Sequence, residues 1–144
     1  MTNETKTHLI QPFRGFRPAP AHAAEVAAPP YDVLNSKEAR ALAAGKPNSF
    51  LHISKPEIDL AEDIDVHARE VYAKGGKNMA RMISDGILLR DERPSYYIYR
   101  VETHGHMQTG LAAGGSVAAY DANFIRKHEL TRPDKEDDRV AQIE

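Results

Sequence analysis

The fold is decided by Ser95–Tyr120, "SYYIYRVETHGHMQTGLAAGGSVAAY". Its first part is dense in aromatic and β-branched side chains, the composition of a strand. "HGH" (His104–His106) turns the chain. "MQTGLAAGGSVAAY" (Met107–Tyr120) then returns as a long strand, with Gly114-Gly115 marking a bulge or a place where something approaches the backbone closely. A strand, a short turn and a second strand define an antiparallel pair.

Outward from this pair the pattern alternates between helix and strand. "GILLRDE" (Gly86–Glu92) reads as a strand that ends in a turn at Pro94. Before it, Ile64, Val66, Val71, Met79 and Met82 recur at helical spacing. Gly75-Gly76 predicts a break in that helix, and Gly86 marks its end. "SFLHIS" (Ser49–Ser54) alternates apolar and polar residues and reads as a strand. Asn35 and Glu38 stand at capping-box spacing, and the helix they open stops at Gly45. Pro12, Pro18, Pro20, Pro29 and Pro30 make the first third extended or turning. Beyond Tyr120, Asp121 is expected to cap a short turn running to Phe124. A last helix starts near Asp134, behind Pro133 and with acids in its first turn. These elements imply one domain over residues 1–144, an α+β fold with a mixed or antiparallel sheet and flanking helices. The last helix has a start signal and no stop signal, so either it is a C-terminal helix that frays or this chain is part of a longer one.

Composition bounds the function. The chain has 144 residues, 41% of them hydrophobic and 28% charged, a balance that supports a packed core. The formal net charge of −2 gives no general attraction to nucleic acid or to an anionic membrane. There is no cysteine, which excludes disulfides and cysteine–zinc sites and fits a cytoplasmic protein. The start, "MTNETKTHLI", has no signal-peptide pattern, and no apolar run approaches the roughly 18 residues of a membrane span.

Five features are candidates for chemistry, and four of them are weaker than the last. "GLAAGGS" has the glycines of a phosphate loop without its lysine, and a bulged strand is the simpler account. The histidines do not assemble a metal motif: His128-Glu129 is followed by Arg132 where a zincin needs histidine. In "APPYDV", Tyr31 and Asp32 follow two prolines that stiffen the backbone. Asp32 so placed can hold a cation or a substrate amine, or make an Asx-turn. "SFLHISKPEIDL" presents His52, Lys55, Glu57 and Asp59, which read as a solvated loop slightly better than as a ligand site.

The richest stretch is "IRKHELTRPDKEDDR" (Ile125–Arg139). Glu129 could take a proton from a hydroxyl, with His128 beside it, while Arg126, Lys127 and Arg132 hold phosphate oxygens. Phosphoryl transfer depends on positioning and charge neutralisation, so one base with cations and Mg²⁺ can suffice. Charge pattern by itself favours a solvated face. The acids of "PDKEDDR" are read as serving the helix terminus.

The segments "IQPFRGFRP", "VAAPPYDVL", "PNSFLHISKPEIDL", "YYIYR", "QTGL" and "IRKHELTRPDKEDDR", in this order, resemble the bacterial and archaeal domain of unknown function number 1015. They span Ile10 to Arg139. Members of that family are longer and continue into a portion with a D-G-H-H-R sequence. This chain has none, since Asp85-Gly86 is followed by Ile87. A K-P-H-E signature and D-G-H-H-R also occur in the archaeal ParB-like free-serine kinase. Lys127-His128-Glu129 is similar to the first signature, with Arg126-Lys127 in place of its Lys-Pro. The resemblance implies a ParB-like fold. It also implies a full-length small-molecule kinase acting on a hydroxyl such as that of free serine, with Mg²⁺ and ADP or ATP, and a fragment that is inactive alone. Glu129 would be the general base with His128 its neighbour. Arg126, Lys127, Arg132 and Arg139 would bind phosphate, Tyr31 and Asp32 would contact substrate, and no residue is assigned to a resident metal. The alternative is a non-catalytic nucleotide-binding or regulatory ParB-like module. The net charge speaks against a nucleic-acid partner, and apolar strand faces left open would favour a homodimer.

Overall fold

The aromatic run and its return strand form the hairpin that their composition predicts. The computed structural model describes residues 9–126 and 132–143. In chain order its elements are β1 (Ile10–Gln11), β2 (Phe16–Pro18), α1 (Ala23–Val26), α2 (Ser36–Ala43), α3 (Leu51–Ser54), α4 (Arg69–Ser84), β3 (Leu88–Arg90), β4 (Tyr97–Thr103), β5 (His106–Ala112), β6 (Gly114–Gly115), α5 (Val117–Asp121) and α6 (Pro133–Ile143). Short 3-10 turns lie at Pro20–His22, Tyr31–Val33 and Pro56–Asp59. The secondary structure is thus mixed, with helices and small antiparallel strand pairs. The chain divides into two compact units, Met1–Phe16 with Arg90–Leu130 and Arg17–Leu89 with Thr131–Glu144.

The first unit is built on the hairpin. β4 pairs with β5 from Tyr97↔Ala112 to Thr103↔His106. The turn needs two left-handed residues to match strand twist, and His104 (φ 50°) and Gly105 (φ 76°) supply them. The long return strand is interrupted after Ala112. Gly114 and Gly115 form β6, which pairs with β1 through Ile10↔Gly115 and Gln11↔Gly114. The close approach expected at the two glycines is therefore made by β1. The strand does not reach Tyr120, because Ser116 Oγ accepts the N–H of Ala119 (3.2 Å) and starts α5. Asp121 consequently ends a helix and does not cap one. Tyr97 ties the base of the hairpin to the N-terminal segment. Its phenol accepts from Gly15 N–H (2.7 Å) and donates to Asp91 Oδ2 (2.5 Å), and its ring meets Phe13 at 5.0 Å. Ile98 and Leu111 face one another across the strands and stay 77% and 59% exposed.

The second unit holds the buried core. One cluster is Val26, Met82, Ile87 and Leu88, with Ile53 packed against it. The other is Ala39, Ala43, Leu51 and Ile58, backed by Ala28 and Leu34. α2 begins with the predicted capping box: Asn35 Oδ1 accepts from Glu38 N–H and Glu38 Oε2 from Asn35 N–H, both at 2.9 Å. Gly45 beyond its end is left-handed (φ 72°).

Two elements of the second unit also differ from the sequence reading. "SFLHIS" contains a helical turn, not a strand. Ser54 N–H reaches Phe50 O (3.0 Å) and Lys55 N–H reaches Leu51 O (2.8 Å). Alternation over six residues cannot separate a strand from one helical turn, and burial of Leu51 decides the outcome. The long helix starts at Arg69, leaving Ile64 and Val66 before it, and runs unbroken through Gly75-Gly76. Gly75 is required for packing, since a Cβ there would stand 2.8 Å from Pro56 Cγ and 3.2 Å from Ile53 O. A Cβ on Gly76 would meet nothing within 4 Å. Helix propensity loses to close contact at the first glycine and is simply tolerated at the second.

This contrast predicts opposite outcomes for two adjacent substitutions. Gly75→Ala should lower unfolding stability by about 1–3 kcal/mol through overpacking. Gly76→Ala should raise it by about 0.5–1 kcal/mol through helix propensity. Urea unfolding of both variants checks this, and equal midpoints would remove the packing explanation.

Candidate functional site

The Pro56–Asp59 turn of the second unit is held in place by Arg40, which α2 presents. Its guanidinium donates to Glu57 O (2.8 Å), Leu60 O (2.8 Å) and Ile58 O. These bonds add to the turn's own, Ile58 N–H to Lys55 O and Leu60 N–H to Glu57 O (each 3.1 Å), and tie it to α2. Pro56 sets the start of the turn, and Lys55 and Glu57 flank it on the chain. The Glu57 side chain is buried: its Oε1 accepts from Ser36 Oγ (2.8 Å) and pairs with Lys55 Nζ (3.0 Å). A buried carboxylate needs such partners to remain charged.

Lys55 and Glu57 border a cavity of about 190 Å³, together with Tyr31, Asp32, Lys135 and Asp138. Tyr31 and Asp32 lie in the 3-10 turn behind Pro29-Pro30, and Asp32 is exposed. α6 supplies the remaining wall. Arg139 places its guanidinium carbon 3.5 Å from the centre of the Tyr31 ring, a cation–π contact. Asp138 accepts from the Tyr72 hydroxyl (2.9 Å) and lies 3.6 Å from His67 Nδ1. His67 Nδ1 also stands 3.2 Å from the Tyr72 oxygen. Burial, and then the bond to anionic Asp138, push the Tyr72 phenol up to about 12. The cavity is therefore amphoteric, with carboxylates and ammonium groups in one wall.

The sequence candidates separate on this geometry. Tyr31, Asp32 and Arg139 come together, with Tyr31 and Asp32 on the cavity and Arg139 stacked on Tyr31. Arg132 precedes α6, and its carbonyl accepts from Lys135 and Glu136 N–H, each at 3.0 Å. Arg126 is exposed and belongs to the first unit. Lys127, His128 and Glu129 lie outside the described residues. The four residues read as a solvated loop are not one. Glu57 is buried, and His52, Asp59 and Asn78 form a separate bonded group: His52 Nδ1 meets Asp59 Oδ1 and Asn78 Nδ2 donates to Asp59 Oδ2, both at 2.7 Å. Asp138 was grouped with the acids of a helix start, yet it stands in the cavity wall with its side chain 15% exposed. Sequence reading missed Ser54 and Tyr72, and it set His67, three residues before Glu70, aside as a scattered surface histidine. Tyr72 and Asp138 are 66 residues apart, so no local spacing could announce their bond. Among the described residues, no three His, Asp or Glu side chains gather as a metal ion would need, and no helix is long and apolar enough to cross a membrane.

A family model described as protein of unknown function, DUF1015, matches residues 10–144. The chain belongs to this family. No curated protein and no solved structure matches it.

Burial of the Tyr72 phenol and its bond to Asp138 predict a pH effect. A phenol raised from 10.0 to about 12 stabilises the folded state fully below pH 10 and loses that contribution as pH rises toward 12. Urea unfolding of the wild type should therefore show a decline over this window that Tyr72→Phe lacks. Identical pH dependence of the two proteins would mean that burial and Asp138 together do not raise the phenol in the folded state.

Proposed function

We propose that the protein is the acceptor-binding part of a small-molecule kinase that phosphorylates a hydroxyl such as that of free serine. The observation that carries this reading is the convergence of Tyr31 and Asp32 with the Lys55–Glu57 pair on one small polar cavity. Its volume, about 190 Å³, suits a metabolite, since sites for drug-sized ligands run from about 300 Å³ upward. Carboxylates and ammonium groups in the same wall suit a ligand that carries both charges and a hydroxyl. The resemblance of Lys127-His128-Glu129 to the kinase signature supports Glu129 as the base that takes the hydroxyl proton, with His128 beside it. Arg126, Lys127 and Arg132 belong to the same proposal as phosphate-binding cations. The ParB-like relation is part of it too and rests on that signature.

The described residues of the cavity do not fit ADP, ATP or Mg²⁺. The volume is too small for a nucleotide, and the donor set offers no cluster for a divalent ion. In this reading the phosphate donor and Mg²⁺ are held elsewhere.

The test mixes a full-length family member with ADP or ATP, Mg²⁺ and free amino acids and assays phosphoserine. Turnover is expected, with at least a ~100-fold loss on replacing the residue that corresponds to Glu129 by glutamine, the usual scale for a general base. Asp32→Asn should raise KM more than it lowers kcat. Nucleotide binding without phosphorylation of any amino acid would sink the kinase reading in favour of a regulatory module.

A further inference from the structure

Among the described residues, three side-chain atoms are buried without a hydrogen-bond partner: Ser54 Oγ, Arg139 Nε and Arg139 Nη2. A donor buried unpaired loses its bonds to water without replacement, and a charged one loses more, so such groups are rare and require a cause. All three belong to residues of one lobe. Ser54 and Arg139 border a space of about 160 Å³ whose remaining wall includes the apolar side chains of Phe50, Ile53 and Met79.

The two nitrogens of Arg139 are not an arbitrary pair. Nε–H and the neighbouring Nη2–H point the same way and form one edge of the guanidinium fork, the edge that takes two oxygens of a carboxylate or phosphoryl group. The rest of the group is committed. Nη1 donates to Gln142 Oε1 at 2.5 Å, and the Tyr31 ring covers one face at 3.5 Å. Asp138 does not fill the fork: its Oδ2 stands 3.9 Å from Nη2, close enough for attraction and too far for a hydrogen bond. The other oxygen of Asp138 is taken by Tyr72.

We propose that Ser54 and Arg139 form an oxyanion subsite, in which the Nε/Nη2 edge of Arg139 and the Ser54 hydroxyl bind the carboxylate or phosphoryl oxygens of a ligand. This rests on reading the cavity of the second unit as a ligand site, because Ser54 borders both the cavity and the lobe. Both nitrogens are shielded from solvent, so α6 must lift to admit the anion. The ties to be loosened include the Tyr72–Asp138 bond and the Tyr31–Arg139 stack. A bound anion completes the bonding of Arg139 and holds α6 down.

The test uses the full chain without a phosphate donor, so that it stands apart from any kinase assay. Inorganic phosphate and acetate are titrated separately, followed by amide chemical shifts and by hydrogen exchange in α6. At least one anion should shift the Ser54 and α6 amides and slow exchange in α6. Phosphate alone identifies a phosphoryl subsite, acetate alone a carboxylate subsite, and both a general oxyanion subsite. Arg139→Lys keeps the charge and loses the fork, and should weaken binding about tenfold, the value of one good charge-assisted bond. Ser54→Ala, which removes only a hydroxyl, should weaken it several-fold and serves if the arginine variant does not fold. Neither anion protecting α6, or both variants binding as the wild type does, would overturn the subsite and leave a lobe that holds water only. Absent turnover with anion binding intact would fault the kinase reading and not this one.

Discussion

The second unit depends on one side chain, Arg40. Its guanidinium bonds the carbonyls of Glu57, Ile58 and Leu60, and so fastens the Pro56–Asp59 turn and the residue after it to α2. Without that fork the turn would keep only its own short bonds and lose its tie to α2. With it, Pro56 lies on α4 at Gly75, Ile58 enters the core beside Ala39 and Leu51, and Glu57 faces Lys55 and Ser36. One arginine thus serves as a rigid template for the wall on which the candidate chemistry is arranged. The capping box at Asn35 matters for the same reason, because it fixes the helix from which Arg40 and Ser36 project.

The elements legible in the sequence are those whose signals are local. The aromatic strand and its turn at His104-Gly105, the capping box of α2, the glycine after it and the proline at the head of α6 each act within a few residues, and each is found where its chemistry places it. The errors fall where contacts between distant segments override local preference. "SFLHIS" alternates like a strand, but Leu51 is buried against α2 and the Pro56 turn. Gly75-Gly76 reads as a helix breaker, yet α4 continues because Pro56 fills the space that a side chain at Gly75 would need. Ser116 ends the return strand early by offering a cap that competes with the sheet.

The candidate site divides in the same way. Tyr31 and Asp32 were visible because two prolines before a polar pair are unusual, and Arg139 because it belongs to a charged run. The partners that give these residues a role are on other segments. Lys55 and Glu57 look solvated in sequence, since nothing local shows that Ser36 will reach them. Asp138 looks like one more acid in a helix start. Its function in the fold comes from Tyr72, a residue of α4 with an ordinary helical setting.

The contact at Gly75 has a further consequence. Because Pro56 rests directly on the backbone of α4, the segment carrying Lys55 and Glu57 has almost no freedom to shift relative to that helix, and the clearance is less than one methyl group. Variation in this chain should therefore be filtered by steric fit at a residue that touches no ligand. In a survey of active variants, Gly75 would look as intolerant as a residue of the reaction centre, though its whole contribution is the absence of a side chain.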